Sequence, residues 1–163
     1  MSQPEVWLRG PVPGYASELQ PIAHALLQAR EDLGRVETLP DDRLEVRPGQ
    51  SASIGYHLRH VAGSLDRLYT YARGEPLSPA QLDALRAEAA PGSGTRVLTG
   101  AALAAIDGAL AQLQTTPAAA LDEVRAVGRA GLPATVRGLL FHAAEHTTRH
   151  VGQMLTLLRV LDG

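Results

Sequence analysis

The sequence contains no cysteine. Disulfides, thiolate metal ligands and a cysteine nucleophile are thereby excluded, so any metal site must draw on His, Asp or Glu. Lysine is also absent: all 15 basic residues are Arg, an absence we attribute to genomic base composition rather than to chemistry. Aromatic residues make up only 4%, with one Trp and one Phe. The core must therefore come from Leu, Ala and Val, which favours closely packed helices. Neither sign of charge dominates. The net charge is −2 and no basic stripe appears, so the electrostatic footprint of a nucleic-acid binder is missing. The N-terminal MSQPEVWLRG lacks the apolar core of a signal peptide. No uninterrupted apolar run approaches the length that crosses a bilayer. The expected compartment is the cytoplasm, with neither nucleic acid nor membrane as partner. A Gly-rich phosphate loop, a Gly-x-Ser-x-Gly elbow and an HExxH sequence are missing too, so those chemistries receive no support.

What is present suits a single domain over residues 1–163. No Pro/Gly/Ser linker divides the chain into halves that could each hold a core, and a chain of this length buries about two-thirds of its unfolded surface. Leu19, Ile22, Ala23, Leu26, Leu27 and Leu33 recur at helical spacing and predict a first helix from about Tyr15 to Leu33. The polar, proline-bearing segment Gly34 to Gln50 reads as a loop. A second helix begins after Ser51 or Ser53, either of which can cap it. Ile54, Leu58, Val61, Leu65 and Leu68 then alternate in steps of four and three, a bundle seam that runs to about Arg73. Ser78, Pro79 and Gln81 open a short helix. A third long helix is expected from about Gly100 to Gln114. Residues 121–127 read equally as helix or extended connection, and no segment shows good strand alternation. The last helix is expected from near Pro133 to about Leu161. The fold class is all-α: a four-helix bundle with a short extra helix.

The strongest chemical signal lies in that last helix. His142, His146 and His150 stand four residues apart in LLFHAAEHTTRHVGQMLTLLRVL, and residues four apart share one helix face. His146 and His150 also fall on the apolar seam that runs from Val136 and Leu139 to Met154 and Leu157. Imidazoles at positions normally filled by Leu must find partners, because an unpaired buried nitrogen costs free energy. Hydrogen bonds, water or a metal would serve. His142 extends the row by one turn, as a third ligand, a supporting group or a surface residue. A metal needs ligands from more than one helix to close its shell, and the second helix offers His57 and His60 beside its seam. His24 stands alone on the first helix and reads as structural or exposed. Glu145 reads as a solvated charge, and Asp66 as a partner for an Arg.

Two segments together resemble the DinB-like superfamily, which includes YfiT-like metal-dependent proteins and thiol-dependent S-transferases. The first is SIGYHLRHVAGSLDRLYTYARGE, residues 53–75, similar to the family's second-helix pattern of His, apolar residue and Ala. The second is HAAEHTTRHVGQM, residues 142–154, similar to the family's HxxxH followed by x-Gly-Gln, with Val151 where the family often has Arg. The resemblance implies a four-helix bundle holding one divalent metal through three histidines. Matched residue by residue, these are His60, His146 and His150, leaving His57 and His142 outside the set.

The metal expected is zinc or nickel, with iron or manganese next; imidazole suits zinc, nickel, copper and iron alike, and selection among them depends on geometry and supply. Three neutral imidazoles leave a position open for water or substrate, the pattern of a catalytic site. The resemblance further implies transfer of a low-molecular-weight thiol to an electrophile, or hydrolysis by activated water; with no cysteine of its own, the chain would draw that thiol from a cosubstrate. The alternative is a non-catalytic, stress-associated metal-binding bundle. A third reading makes the histidines a polar network without metal. A homodimer is compatible with the Ala- and Leu-rich faces. His150→Ala is expected to abolish stoichiometric metal uptake measured by calorimetry, whereas His57→Ala leaves metal content nearly intact; retained uptake in the first variant would contradict the ligand assignment.

Overall fold

The computed structural model describes residues 3–162. Its elements are α1 (Gln20–Leu33), α2 (Ile54–Ala72), α3 (Pro79–Ala87), α4 (Thr95–Thr115), β1 (Val124–Val127), β2 (Leu132–Thr135) and α5 (Val136–Asp162), joined by short 3-10 turns. The four long helices form a bundle. Helix α2 packs on both α4 and α5, and α1 on both α5 and α4. Leu26, Leu33, Ile54, Leu58, Ile106, Leu113, Leu140 and Met154 are fully enclosed where the four meet. The all-α bundle expected from the helical periodicities is the fold observed.

Caps explain most of the boundaries. Ser53 Oγ accepts from Tyr56 N at 3.0 Å and so starts α2. A helix leaves its first N–H groups without partners, and a Ser at this position satisfies one of them. Helix α3 opens with a complete capping box. Gln81 N donates to Ser78 Oγ, and Ser78 N donates to Gln81 Oε1. No residue of α3 is buried; the helix lies on the surface of α2, and Gln81 Nε2 donates to Asp66 Oδ2 and Thr70 Oγ1, both at 2.8 Å.

Four boundaries differ from the sequence expectation. Regular α1 begins at Gln20 rather than Tyr15, because Ser17–Leu19 forms a 3-10 turn. Helix α4 begins five residues before Gly100. Its cap comes from far away in the chain, since Asp41 Oδ1 accepts from Thr95 N at 2.7 Å, and no local pattern reports such a contact. Residues 124–135 form an antiparallel hairpin, with Val124 opposite Thr135 and Val127 opposite Leu132. Gly128 and Gly131 turn its corner at φ +68° and +62°, values that glycine adopts without a steric penalty. Pro133 therefore lies in β2 rather than opening α5, a position open to it because a two-stranded sheet has only edge strands. Helix α5 starts at Val136, with Thr135 Oγ1 accepting from Gly138 N at 3.0 Å. The first backbone N–H groups of α5 are taken up by the preceding segment, Val136 N by Glu123 O and Arg137 N by Leu121 O.

Contrary to the reading of the apolar runs, α4 is long and apolar enough to cross a membrane. One such helix is weak evidence, because a core helix meets the same criterion. Here Leu98, Ala102, Ile106 and Leu113 of α4 are buried in the bundle.

Ile106 is completely enclosed. Ile106→Ala removes buried methyl groups and leaves a cavity, so stability in a denaturant titration should fall by about 2–5 kcal/mol. A change below about 1 kcal/mol would show that the α2–α4 contact is looser than described.

Candidate metal centre

Helices α2 and α5 run antiparallel, and their contact brings four histidines into two facing pairs. His60 Nε2 lies 2.8 Å from His146 Nε2, and His57 Nδ1 lies 2.8 Å from His150 Nδ1. The rings of His60 and His146 are centred 4.6 and 4.5 Å from that of His150. One nitrogen from each of His60, His146 and His150 falls within 4.8 Å of the other two. These three half-buried side chains, from two helices, could hold a metal ion. A tetrahedral shell with metal–nitrogen bonds of about 2.0–2.1 Å sets its nitrogens about 3.3 Å apart, so small side-chain adjustments suffice.

The chain holds His60 firmly. Its Nδ1–H donates to Glu88 Oε2 at 2.7 Å, and Tyr56 stacks on the ring at 5.5 Å between centroids. Glu88 is 7% exposed. Its other oxygen accepts from Arg67 Nη1 at 2.5 Å, and its backbone oxygen from Arg59 Nε at 2.8 Å. Burial opposes ionisation of Glu88, but the hydrogen bonds from His60 and Arg67, with the positive charge of Arg67, outweigh it and hold the carboxyl below its usual range. A carboxylate on the far nitrogen fixes the tautomer of a ligating His and raises its basicity. With the proton on Nδ1, His60 directs the Nε2 lone pair at His146. Gly63 makes room for this arrangement, since a side chain there would collide with the Glu88 carboxylate and with Arg67.

His146 and His150 are suited to ligation by their charge state. Burial first, then the charges of neighbouring histidines and of Arg149, pushes both down to about 4. Both are neutral near pH 7, the form a metal requires. The Nδ1 of His146 is buried without a hydrogen-bond partner. Leaving such a group unsatisfied costs about 1–3 kcal/mol. His60 Nε2 and His146 Nε2 face each other at 2.8 Å with the His150 ring beside them, and a divalent cation fits this donor set.

The remaining candidates fall elsewhere. His142 is half-exposed beside Glu145 and its ring centre is 5.3 Å from that of His146, so it is peripheral, as the motif match implied. His24 Nε2 meets Gly10 O at 3.0 Å and ties the N-terminal segment to α1. Glu145 is exposed and pairs with Arg149 along the helix. Asp66 is held by Gln81 rather than by the Arg expected. The seam of α5 is also shifted. Thr147 and Val151, each one residue after a histidine, are buried, while His146 and His150 sit at the border. The border suits an imidazole that must meet both core and ligand. Val151, where an Arg is common in the family, is 2% exposed in the core. His57, set aside on the motif match, is buried and touches His150. Glu88 was missed altogether, because nothing local marks it; only its place at the end of the capped helix α3 carries it to His60.

An all-α bundle with an interhelical histidine cluster is the class these features define. The DinB superfamily model matches residues 25–154, well over half of the chain. The chain belongs to the DinB superfamily. No curated protein matches it.

Glu88→Leu should weaken divalent-metal affinity by about 10–100-fold, the usual cost of losing a carboxylate behind a ligating His, while Glu88→Gln, which keeps an acceptor for His60 Nδ1–H, should retain most of it. Titration with cobalt checks both; equal affinity in all three proteins would remove Glu88 from the site.

Proposed function

We propose that the chain binds one divalent transition metal, zinc or nickel before iron or manganese, through His60, His146 and His150, and that it is a metal-dependent enzyme acting on a low-molecular-weight thiol or on water. The observation that carries the reading is the convergence of three half-buried imidazole nitrogens from two helices within 4.8 Å. A metal held by three neutral ligands keeps a position for substrate and lowers the pKa of a thiol or water there.

The surroundings support such a use. A cavity of about 510 Å³ adjoins the histidines, lined by His57, Arg149, Gln153, Ser51 and Leu157 among others. Its size is that of a small-molecule site, and an apolar wall with a few polar groups is the usual composition. In the transfer step the thiol loses its proton to water. Its sulfur then forms a bond to an electrophilic carbon, and the leaving group departs with the bonding electrons. Arg149 contributes a positive charge to the lining of the cavity, and the buried residues His57 and Leu157 contribute to its wall. The reading places the protein in the cytoplasm, where a thiol cosubstrate is supplied, and involves neither nucleic acid nor membrane. A homodimer is compatible with it.

One observation favours a second reading, a non-catalytic metal-binding, stress-associated bundle. The cavity is lined by His57, whereas His60, His146 and His150 are not among its lining residues. Elemental analysis of protein purified without a His tag, followed by a thiol-consumption assay with glutathione and chlorodinitrobenzene, separates the readings. One zinc or nickel per chain, with thiol loss that stops when the metal is stripped, is the expected result. Stoichiometric metal without thiol loss, across several thiols, supports the second reading. Absence of a stoichiometric ion contradicts both and leaves the histidines as a polar network.

A further inference from the structure

We propose that His57 is a positioning residue for His150, holding that ring through an Nδ1-to-Nδ1 hydrogen bond so that the His150 Nε2 faces His60 and His146. The proposal rests on the metal reading above and deepens it, giving the site a fourth histidine that supports rather than ligates.

The geometry is specific. The two Nδ1 atoms are 2.8 Å apart, a normal hydrogen-bond separation, so one of them carries the proton and the other accepts it. A neutral imidazole that ligates through Nε2 carries its proton on Nδ1. His150 is then the donor and the His57 Nδ1 lone pair the acceptor. His57 completes the pattern already seen at His60, where Glu88 takes the Nδ1 proton at 2.7 Å. Two of the three proposed ligands thus have their outer nitrogen engaged by the chain, and His146 does not.

His57 is built to hold still. It is 5% exposed. Its backbone N–H donates to Ser53 O at 3.1 Å in the first turn of α2, and Tyr56 packs edge-on against its ring at 5.7 Å. A group locked in this way restricts its neighbour, so His150 loses little further freedom on ligation. His57 does not join the cluster whose nitrogens lie within 4.8 Å of one another, which separates its role from that of a ligand.

The test uses cobalt as the probe and three proteins. Wild type, His57→Asn and His57→Leu are loaded with cobalt, and affinity is measured together with the visible d–d spectrum. Asn places an amide oxygen near the original Nδ1 and can accept from His150, whereas Leu fills much of the space without an acceptor. His57→Leu should lose about 10–100-fold in affinity and show an altered d–d spectrum, although stoichiometric loading persists at saturating metal. His57→Asn should recover most of both. Nitrogen NMR of the metal-free proteins provides a readout independent of loading. His150 should carry its proton on Nδ1 in the wild type and shift toward the other tautomer in His57→Leu. Equal affinity and spectra in all three proteins would overturn the proposal while leaving the metal site standing. Loss of stoichiometric binding in both variants would make His57 a ligand and also overturn it. A wild type that takes up no cobalt overturns the metal reading and this one with it.

Discussion

The antiparallel seating of α2 against α5 is the contact on which the rest depends. It sets His57 opposite His150 and His60 opposite His146, each pair 2.8 Å apart. A shift of one residue along a helix moves a side chain by about 1.5 Å and turns it by about 100°, so a slip of either helix would separate both pairs. Apolar packing fixes the register. Leu58, Val61 and Leu65 of α2 and Ala143, Val151 and Met154 of α5 are buried in one core, with α4 and α1 closing the other sides of the bundle. Close-packed interiors resist such displacement, and the site inherits its precision from them.

The polar groups follow a different logic from the core. Glu88 and Arg67 form a largely buried ion pair, and such pairs contribute little net stability because desolvation offsets the Coulomb attraction. Their value here is geometric. Arg67 keeps Glu88 ionised, Glu88 holds the Nδ1 proton of His60, and the ring then directs a lone pair at His146. Helix α3 delivers Glu88 without burying any residue of its own, through its capping box and the bonds from Gln81 to α2. Gly63 leaves the space that the carboxylate occupies. A surface helix with no buried residue of its own thus positions the carboxylate that stands at its end.

How much of this could be read in the sequence depended on range. The helical periods of Ile54 to Leu68 and of Val136 to Leu161 reported the bundle, and Ser53 and Ser78 reported two helix starts, because those signals are local. The pair His146 and His150 was legible from its spacing, and His60 from its motif. The start of α4 was not, since its cap is Asp41, 54 residues earlier. The hairpin was hidden because its strands are only four residues long, and Val124 and Leu132 are exposed, so no buried-face alternation develops. Glu88 went unseen, and the contact of His57 with His150 was not legible although His57 itself was named, for a shared reason. Their partners, at separations of 28 and 93 residues, exist only once the bundle has closed.

The central claim is that His60, His146 and His150 hold one divalent metal between α2 and α5. X-ray absorption fine structure at the metal edge of the loaded protein tests it most directly. The account predicts three imidazole nitrogens at about 2.0–2.1 Å, with the outer-ring scattering that marks histidine, plus a light-atom ligand from solvent, and a loss of imidazole scattering in His146→Ala. A shell of carboxylate and water oxygens alone, or a spectrum that His146→Ala leaves unchanged, would contradict it.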